Sequence, residues 1–290
     1  MGAVVLATLT FPLRLVRWRL LLRDEDGNPY PAGPLWHAVA IGFTANNLLP
    51  LRAGELVRAY TAARLTSARF TTVISSIAVE RIFDGLTVVA LLTLALFSPE
   101  LPADVKVGGT SVAQLARAAG VISLLGLLAA IAVVAAPLAA ERLIRRILPH
   151  AHFADKIIDL IEGVRQGLVV LRSPGRLAGV VVWSLVLWLV NALAFYAGFS
   201  AFGIPVSYWG ALVLQGLLVL GVSIPSTPGF FGPFEAVIVA VLALYGVSGS
   251  LAFSYAISFH ITTFVPITLL GLWSMLRTPE GLRVLRRSST

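Results

Sequence analysis

The sequence predicts an all-α polytopic integral membrane protein, with spanning helices plus two re-entrant helical hairpins arranged as an inverted repeat. Three observations predict it. Of 290 residues, 58% are hydrophobic and only 12% charged, about half the charged share of a soluble domain. The apolar residues fall in long runs, and two runs are interrupted by proline and glycine. The arginines gather in some connecting loops and avoid others. A transmembrane β-barrel needs segments of about ten residues of alternating hydrophobicity, and the sequence has no such pattern.

In order, residues 1–16 read as a helix that ends in Arg14, Arg17, Arg19 and Arg23. Its apolar part is short against the roughly 20 residues of a span. The expectation is a helix snorkelled at its arginine end, or one whose beginning lies upstream. No basic segment precedes it and no small-residue cleavage site follows, so it does not read as a signal peptide. Asp24–Pro29 is a solvated turn. Residues 35–49 and 55–65 are apolar but short, with Pro50 and Gly54 between them. Broken backbone at membrane depth requires protein or a wet cavity around it. The pair therefore reads as a hairpin over 35–65.

Residues 70–97 make a full span, 98–112 a polar loop and 115–137 a second span. Over 153–172, Ile157, Ile161, Val164, Leu168 and Leu171 recur at helical spacing, with Asp159, Glu162, Arg165 and Gln166 between them. That pattern suits an amphipathic helix on the membrane surface, or one packed against other helices. A span over 177–202 contains Asn191. A second hairpin over 208–247 is broken at Ile224–Pro233, and 251–276 is the last span, with His260 and Pro266. Trp18, Trp183, Trp209 and Trp273 lie near predicted span ends and read as interfacial anchors.

The loops at 14–23, 64–69, 142–176 and 277–287 are arginine-rich, whereas those at 98–112, 203–208 and 248–250 hold only Lys106. If both broken segments are re-entrant, every basic loop falls on the cytoplasmic side, as the positive-inside rule requires. The first hairpin then enters from the cytoplasm and the second from outside. The chain reads as a single transmembrane domain over 1–290. Its first half is about 1–112, an interfacial helix covers 153–172, and the second half is 177–277. A faint internal match supports the repeat. Glu55 follows the first break and Glu235 the second, and a step of 25 residues leads from them to Glu80 and His260. Inverted repeats with broken helices at the midplane recur in transporters.

The composition also excludes chemistry. There is no cysteine, so no disulfide or thiolate chemistry. His37, His150, His152 and His260 show no ligand spacing, and neither a metal site nor a cofactor is expected. The sequence pI of about 10.6 rests on arginine, Lys106 and Lys156 being the only lysines. Beside hydrophobic spans this charge fits anionic lipid headgroups, not nucleic acid. The alanine- and arginine-rich composition suggests a bacterial source.

Charges at membrane depth are usually functional, and they cluster twice between Asn46 and Asp84. Arg52, Glu55 and Arg58 flank Gly54. A half-helix starting there offers free N–H groups and a positive dipole end to an anion, and Arg52 adds a planar fork suited to phosphate. Asn46 and Asn47 can cap backbone groups at the break. The alternative is that Arg52–Glu55 and Arg58–Asp84 are internal ion pairs. Glu80, Arg81 and Asp84 share a span, where the two carboxylates are spaced to share a proton or to form a salt-bridge network with the hairpin. In the second half, Pro228, Gly229 and Gly232 make the break. Glu235 stands in the first turn of the next helix and suits its dipole. His260 reads as a ligand-site residue or as a hydrogen-bonded core histidine. Counting Arg52, Glu55, Arg58, Glu80, Arg81, Asp84 and Glu235, three positive groups face four negative ones.

Three stretches resemble one family, the flippase-like transmembrane domain of lysylphosphatidylglycerol synthases and its stand-alone relatives. Asn47-Leu48-Leu49-Pro50-Leu51-Arg52-Ala53-Gly54-Glu55-Leu56-Val57-Arg58 is similar to the family's N-x-x-P-x-R-x-G-E-x-x-R. Glu80-Arg81-Ile82-Phe83-Asp84 resembles its E-R-x-x-D, and Thr227 to Glu235 its T-P-G-G-x-G-x-x-E. The sequence departs from the pattern at Phe230, where relatives have glycine, and at His260, where they tend to have arginine. With no aminoacyltransferase domain after residue 290, lipid aminoacylation is not expected of this chain. The resemblance implies the handling or transport of an aminoacylated phospholipid or a polyprenyl-phosphate lipid across the bacterial cytoplasmic membrane, with the C-terminus in the cytoplasm.

The expected headgroup site comprises Asn47, Arg52, Gly54, Glu55, Arg58, Glu80, Arg81 and Asp84, joined by Pro228, Gly229, Gly232, Glu235 and His260. No catalytic residue is expected. The expected partners are membrane lipids with an anionic headgroup, and either an oligomer or a soluble cytoplasmic enzyme. The rival reading is a membrane enzyme acting on a lipid-linked phosphate, or a docking partner for such an enzyme.

Overall fold

A computed structural model describes residues 1–49, 53–98, 173–222 and 227–278, together with Glu100 and short pieces between 106 and 128. The regular elements among the described residues are helices, apart from a two-residue strand pair, Lys106–Val107 against Thr110–Ser111, and an isolated bridge between Arg23 and Pro29. The predicted interfacial helix 153–172, most of the span 115–137 and the basic tail beyond residue 278 lie outside the described residues, as do Pro50 and Arg52.

The helices are α1 (Gly2–Leu21), α2 (Ala32–Leu48), α3 (Gly54–Thr66), α4 (Phe70–Leu96), α5 (Pro174–Ala201), α6 (Tyr208–Gly221), α7 (Pro233–Leu244) and α8 (Gly249–Arg277). A 3-10 turn, Pro228–Phe230, precedes α7. Local chemistry sets several ends. Pro174 and Pro233 stand in the first turns of α5 and α7, where a missing N–H costs nothing. Ser207 caps α6 by accepting the Gly210 N–H. Glu235 accepts the Gly232 N–H at 2.7 Å in a capping box that starts α7. α5 and α8, of 28 and 29 residues, are long and apolar enough to cross a membrane. α4 has 27 residues but carries Glu80, Arg81 and Asp84 at its middle.

The packing is reciprocal. α2 packs on α3 and α6 on α7, while the long helix of each half packs on the hairpin of the other, α8 on α2 and α4 on α6. The loop entering α2 and the junction leaving α3 line one pocket, which contains Arg23, Asp26, Ser67, Arg69 and, from the start of α5, Arg176. Arg277 sits over the Trp273 ring, and that ring neighbours His37 near the start of α2. The arginine-bearing ends thus gather at one end of the bundle. The start of α6 meets the end of α7 at the other end, where a side chain on Gly210 would touch the Tyr245 ring.

Two apolar clusters form the core. One joins α1, α2, α3, the first half of α4 and Val180 of α5; the other joins the start of α1 and the second half of α4 to α5, α6, α7 and α8. The charged stretch of α4 lies between them. Outward faces are apolar as well. On α5 alone, Leu177, Val181, Leu185, Leu189 and Leu193 are exposed at four-residue spacing. Such a continuous apolar face suits lipid rather than water.

One element differs from expectation. The first helix runs to Leu21 rather than stopping near residue 16, and Arg14 and Arg17 lie inside it, buried. They are not loop charges snorkelling to an interface. Trp18 is fully buried instead of anchoring at an interface. Its Nε1 donates to Ser76 Oγ at 3.0 Å, and the Arg58 guanidinium lies 3.8 Å over its ring.

Candidate functional site

Glu80 and Asp84, one turn apart on α4, organise the buried charge. Glu80 Oε1 accepts from Arg14 at 2.7 Å, from Arg58 at 3.0 Å and from Arg81 at 2.9 Å. Its Oε2 accepts from Arg58 at 2.9 Å, making that pair bidentate. Asp84 Oδ1 accepts from Arg17 at 2.6 Å and from the Trp188 indole at 2.9 Å. Its Oδ2 faces Arg14 at 3.2 Å and Arg81 at 3.3 Å. Arg17 also donates to Ser184 Oγ at 3.0 Å. Arg81 reaches on to Glu55 of α3 at 3.2 Å.

This arrangement changes one expected pairing and favours the salt-bridge network over the shared proton. Arg58 pairs with Glu80, not Asp84, because α3 meets α4 one turn nearer its start. The carboxylates do not share a proton, since guanidinium N–H groups face the oxygens of both. Arg14 and Arg17 are the members of the buried network that sequence reasoning missed. Their signal was present, since positions i and i+3 of an apolar helix share a face. With them included, four guanidiniums face three carboxylates in the network that the described residues form, leaving one positive charge in excess among them. Arg58 and Glu80 are buried, whereas the Arg81 side chain is 41% exposed.

Arg81 opens onto a cavity of about 520 Å³. The first half supplies Asn46, Asn47, Glu55, Arg81 and Asp84 to its wall, and the second half supplies Gly229 and His260. Phe43, Trp188, Phe230, Phe234 and Phe264 make the rest largely aromatic. The cavity thus collects predicted residues from both breaks. Arg58 and Glu80 stand behind it as support, and Arg52 lies outside the described residues.

Both breaks are tied down by polar side chains. Asn46 Oδ1 accepts the Gly54 N–H at 2.9 Å, and Asn47 donates to Thr268 of α8 at 2.7 Å. A side chain on Gly54 would collide with the Gly42 carbonyl and with Asn46, so glycine is required for α2 and α3 to meet. At the second break, His260 Nδ1 lies 2.5 Å from Glu235 Oε1, and its Nε2 lies 2.9 Å from the Gly229 carbonyl. Gly229 has φ +63° and packs against the Asn47 carbonyl and Phe264. The two breaks therefore touch. Pro228 and Gly232 bound the turn, and Pro228 is exposed.

Comparison with known proteins places the chain. The family model described as lysylphosphatidylglycerol synthase TM region matches residues 1–271. The chain belongs to this family. The match is to a transmembrane region, and the chain is accordingly a membrane protein of a family named for a lipid synthase. Among the relatives of this chain, one is named glycosyltransferase AglD, of Haloferax volcanii. It is 28% identical, and the match covers 95% of this chain and 48% of AglD. The chain thus spans about half the length of that relative. Another is a UPF0104 membrane protein of Methanothermobacter thermautotrophicus, 24% identical over 89% of this chain and 77% of the relative. No solved structure matches.

Proposed function

We propose that this chain is a lipid flippase-like transporter that moves an anionic or aminoacylated lipid, of phospholipid or polyprenyl-phosphate type, across the bacterial cytoplasmic membrane. One observation carries the reading. The cavity joins residues of both helix breaks, and a half-exposed arginine from a network with one excess positive charge opens into it. An arginine fork there suits a phosphate oxygen pair, and the aromatic walls suit the glycerol or isoprenoid stem. Glu55, Glu80 and Asp84 hold the arginines paired while the site is empty.

The reciprocal packing supports an inverted repeat of two re-entrant hairpins. The gathering of Arg23, Arg69 and Arg176 at one end, with Arg277 beside the start of α2, supports a multi-pass arrangement with that end and the C-terminus in the cytoplasm. The test is a headgroup-accessibility assay in proteoliposomes with labelled phosphatidylglycerol and its lysyl ester, comparing wild type with Arg81→Ala and Glu80→Gln. Both variants are expected to fall to the protein-free leak rate. If both match wild type while folded, the transport reading is wrong.

The similarity to a relative named a glycosyltransferase favours a second reading. In it, this domain presents a lipid-linked phosphate to an enzyme, in the same chain or as a soluble cytoplasmic partner. Turnover of a lipid-linked phosphate by the purified chain, or a stoichiometric enzyme partner found by crosslinking with Arg81 dispensable, would favour that reading over transport.

A further inference from the structure

The imidazole of His260 faces two hydrogen-bond acceptors. Nδ1 meets the Glu235 carboxylate and Nε2 meets the Gly229 carbonyl. A carbonyl oxygen can only accept, so Nε2 must carry a proton. The Nδ1 contact also needs one, either on the ring or on Glu235. Imidazolium with carboxylate, and neutral imidazole with carboxylic acid, hold the same number of protons. With one proton fewer, an acceptor faces an acceptor at one of the two contacts. The rings of Phe231 and Phe234 stack on the imidazole at 4.4 and 4.2 Å between centroids and hold it in place.

The held segment is strained. Gly229 and Phe230 both have φ +63°, and for phenylalanine that region is unfavourable. Strain of this kind persists only where surrounding contacts enforce it. The segment is also the bridge between the two breaks, since Gly229 packs on the Asn47 carbonyl at the end of α2.

We propose that Glu235, His260 and the Gly229 carbonyl form a proton-binding latch that holds the Pro228–Phe230 turn across the cavity. Binding one proton closes the latch. Releasing it into the cavity, which His260 and Gly229 both line, frees the turn from α8 and from the end of α2. No other titratable group among the described residues contacts the ring. α7 brings Glu235, and the turn brings only backbone. α2 brings Asn47, while its His37 lies far along α8 beside Trp273. Arg14 and Arg17 of α1 are engaged with α4, and Glu55, Arg81 and Asp84, which also line the cavity, are paired within the α4 network. The latch rests on hydrogen-bond counting and not on the lipid reading, which would name only what the opened cavity admits.

The experiment uses the protein in phosphatidylglycerol nanodiscs from about pH 5 to about pH 9, across the range in which histidines titrate. Side-chain 15N NMR follows His260, assigned by its loss in His260→Gln. Hydrogen exchange, corrected for intrinsic rate, follows the Phe230 and Gly232 amides, which donate to Thr227 O and to Glu235 Oε2. Protection of both is expected to fall by about tenfold or more as the His260 site loses its proton, the size of one buried contact left unpaired. In Glu235→Gln the side-chain amide donates to Nδ1 and the extra proton is no longer needed, so protection stays high throughout. Flat protection in wild type, absence of any His260 titration, or a wild-type pH step in Glu235→Gln each overturns the latch. Wild type alone decides the matter if a variant misfolds. Lipid transport measured on the same samples separates the two ideas. A pH step without transport removes the lipid reading and leaves the latch, and transport with flat protection does the reverse.

Discussion

At the scale of single residues, the α4 network behaves as one unit. Glu80 is fully buried and is shared by Arg14, Arg58 and Arg81. Neutralising it leaves those guanidiniums buried with too few acceptors. Glu80→Gln is expected to destabilise the fold by roughly 3–5 kcal/mol, the usual cost of removing one partner of a buried pair, and thermal unfolding in nanodiscs reads it. Arg17 is equally buried but does not line the cavity. Arg17→Met should therefore lower the melting temperature while leaving any lipid transport unchanged, whereas Arg81→Ala should leave the melting temperature nearly unchanged and remove the transport. Phe230 sits at φ +63°, where glycine is at ease. Phe230→Gly is expected to stabilise the protein by about 1 kcal/mol, seen as a higher melting temperature. It should also loosen the cavity wall that the ring lines.

At the scale of elements, the first hairpin depends on close backbone approach. Gly42 and Gly54 face each other, and a side chain at either would overlap the opposite helix. Small residues at helix crossings are a general device in membranes, where packing rather than water drives association. Gly271 does the same between halves, since a side chain there would strike Thr44 and the Ala40 carbonyl of α2. Gly271→Ala is expected to separate α8 from α2 and cost about 1–3 kcal/mol as an overpacking change. Because α8 also carries His260 and Thr268, the same variant should weaken the Asn47–Thr268 tie, measurable as faster exchange at the end of α2. Asn46→Ala removes the cap on Gly54 and should cost about 1 kcal/mol without disturbing α8.

At the scale of the whole molecule, the chain places its arginine-bearing ends together and joins its two breaks in the interior. The absence of cysteine makes the arrangement directly testable. A single cysteine at Asp26, in the exposed loop before α2, should react with a membrane-impermeant maleimide only from the cytoplasmic side. One at Ser250, exposed at the start of α8, should react only from outside. Labelling of both from one side would refute the two-hairpin topology. On the proposed transport reading, the one positive charge in excess among the described network residues calls for an anionic ligand, since an anion neutralises it without further rearrangement.

Much of this was legible in the sequence alone. The helices fall within a few residues of where apolar runs, Pro50, Gly54 and the Pro228–Pro233 segment put them, because periodicity, proline and glycine act locally. The family motifs located both breaks, and the departure at Phe230 marked a position whose backbone is in fact left-handed. Only tertiary structure decided the partners. Arg14 lies 66 residues from Glu80, and Arg17 lies 167 residues from Ser184. No local pattern links such positions, so Arg14 and Arg17 read as loop charges and Trp18 as an interfacial anchor. An ion pair is chosen by which helix faces pack together, and a buried arginine is tolerated only where that packing supplies its carboxylate.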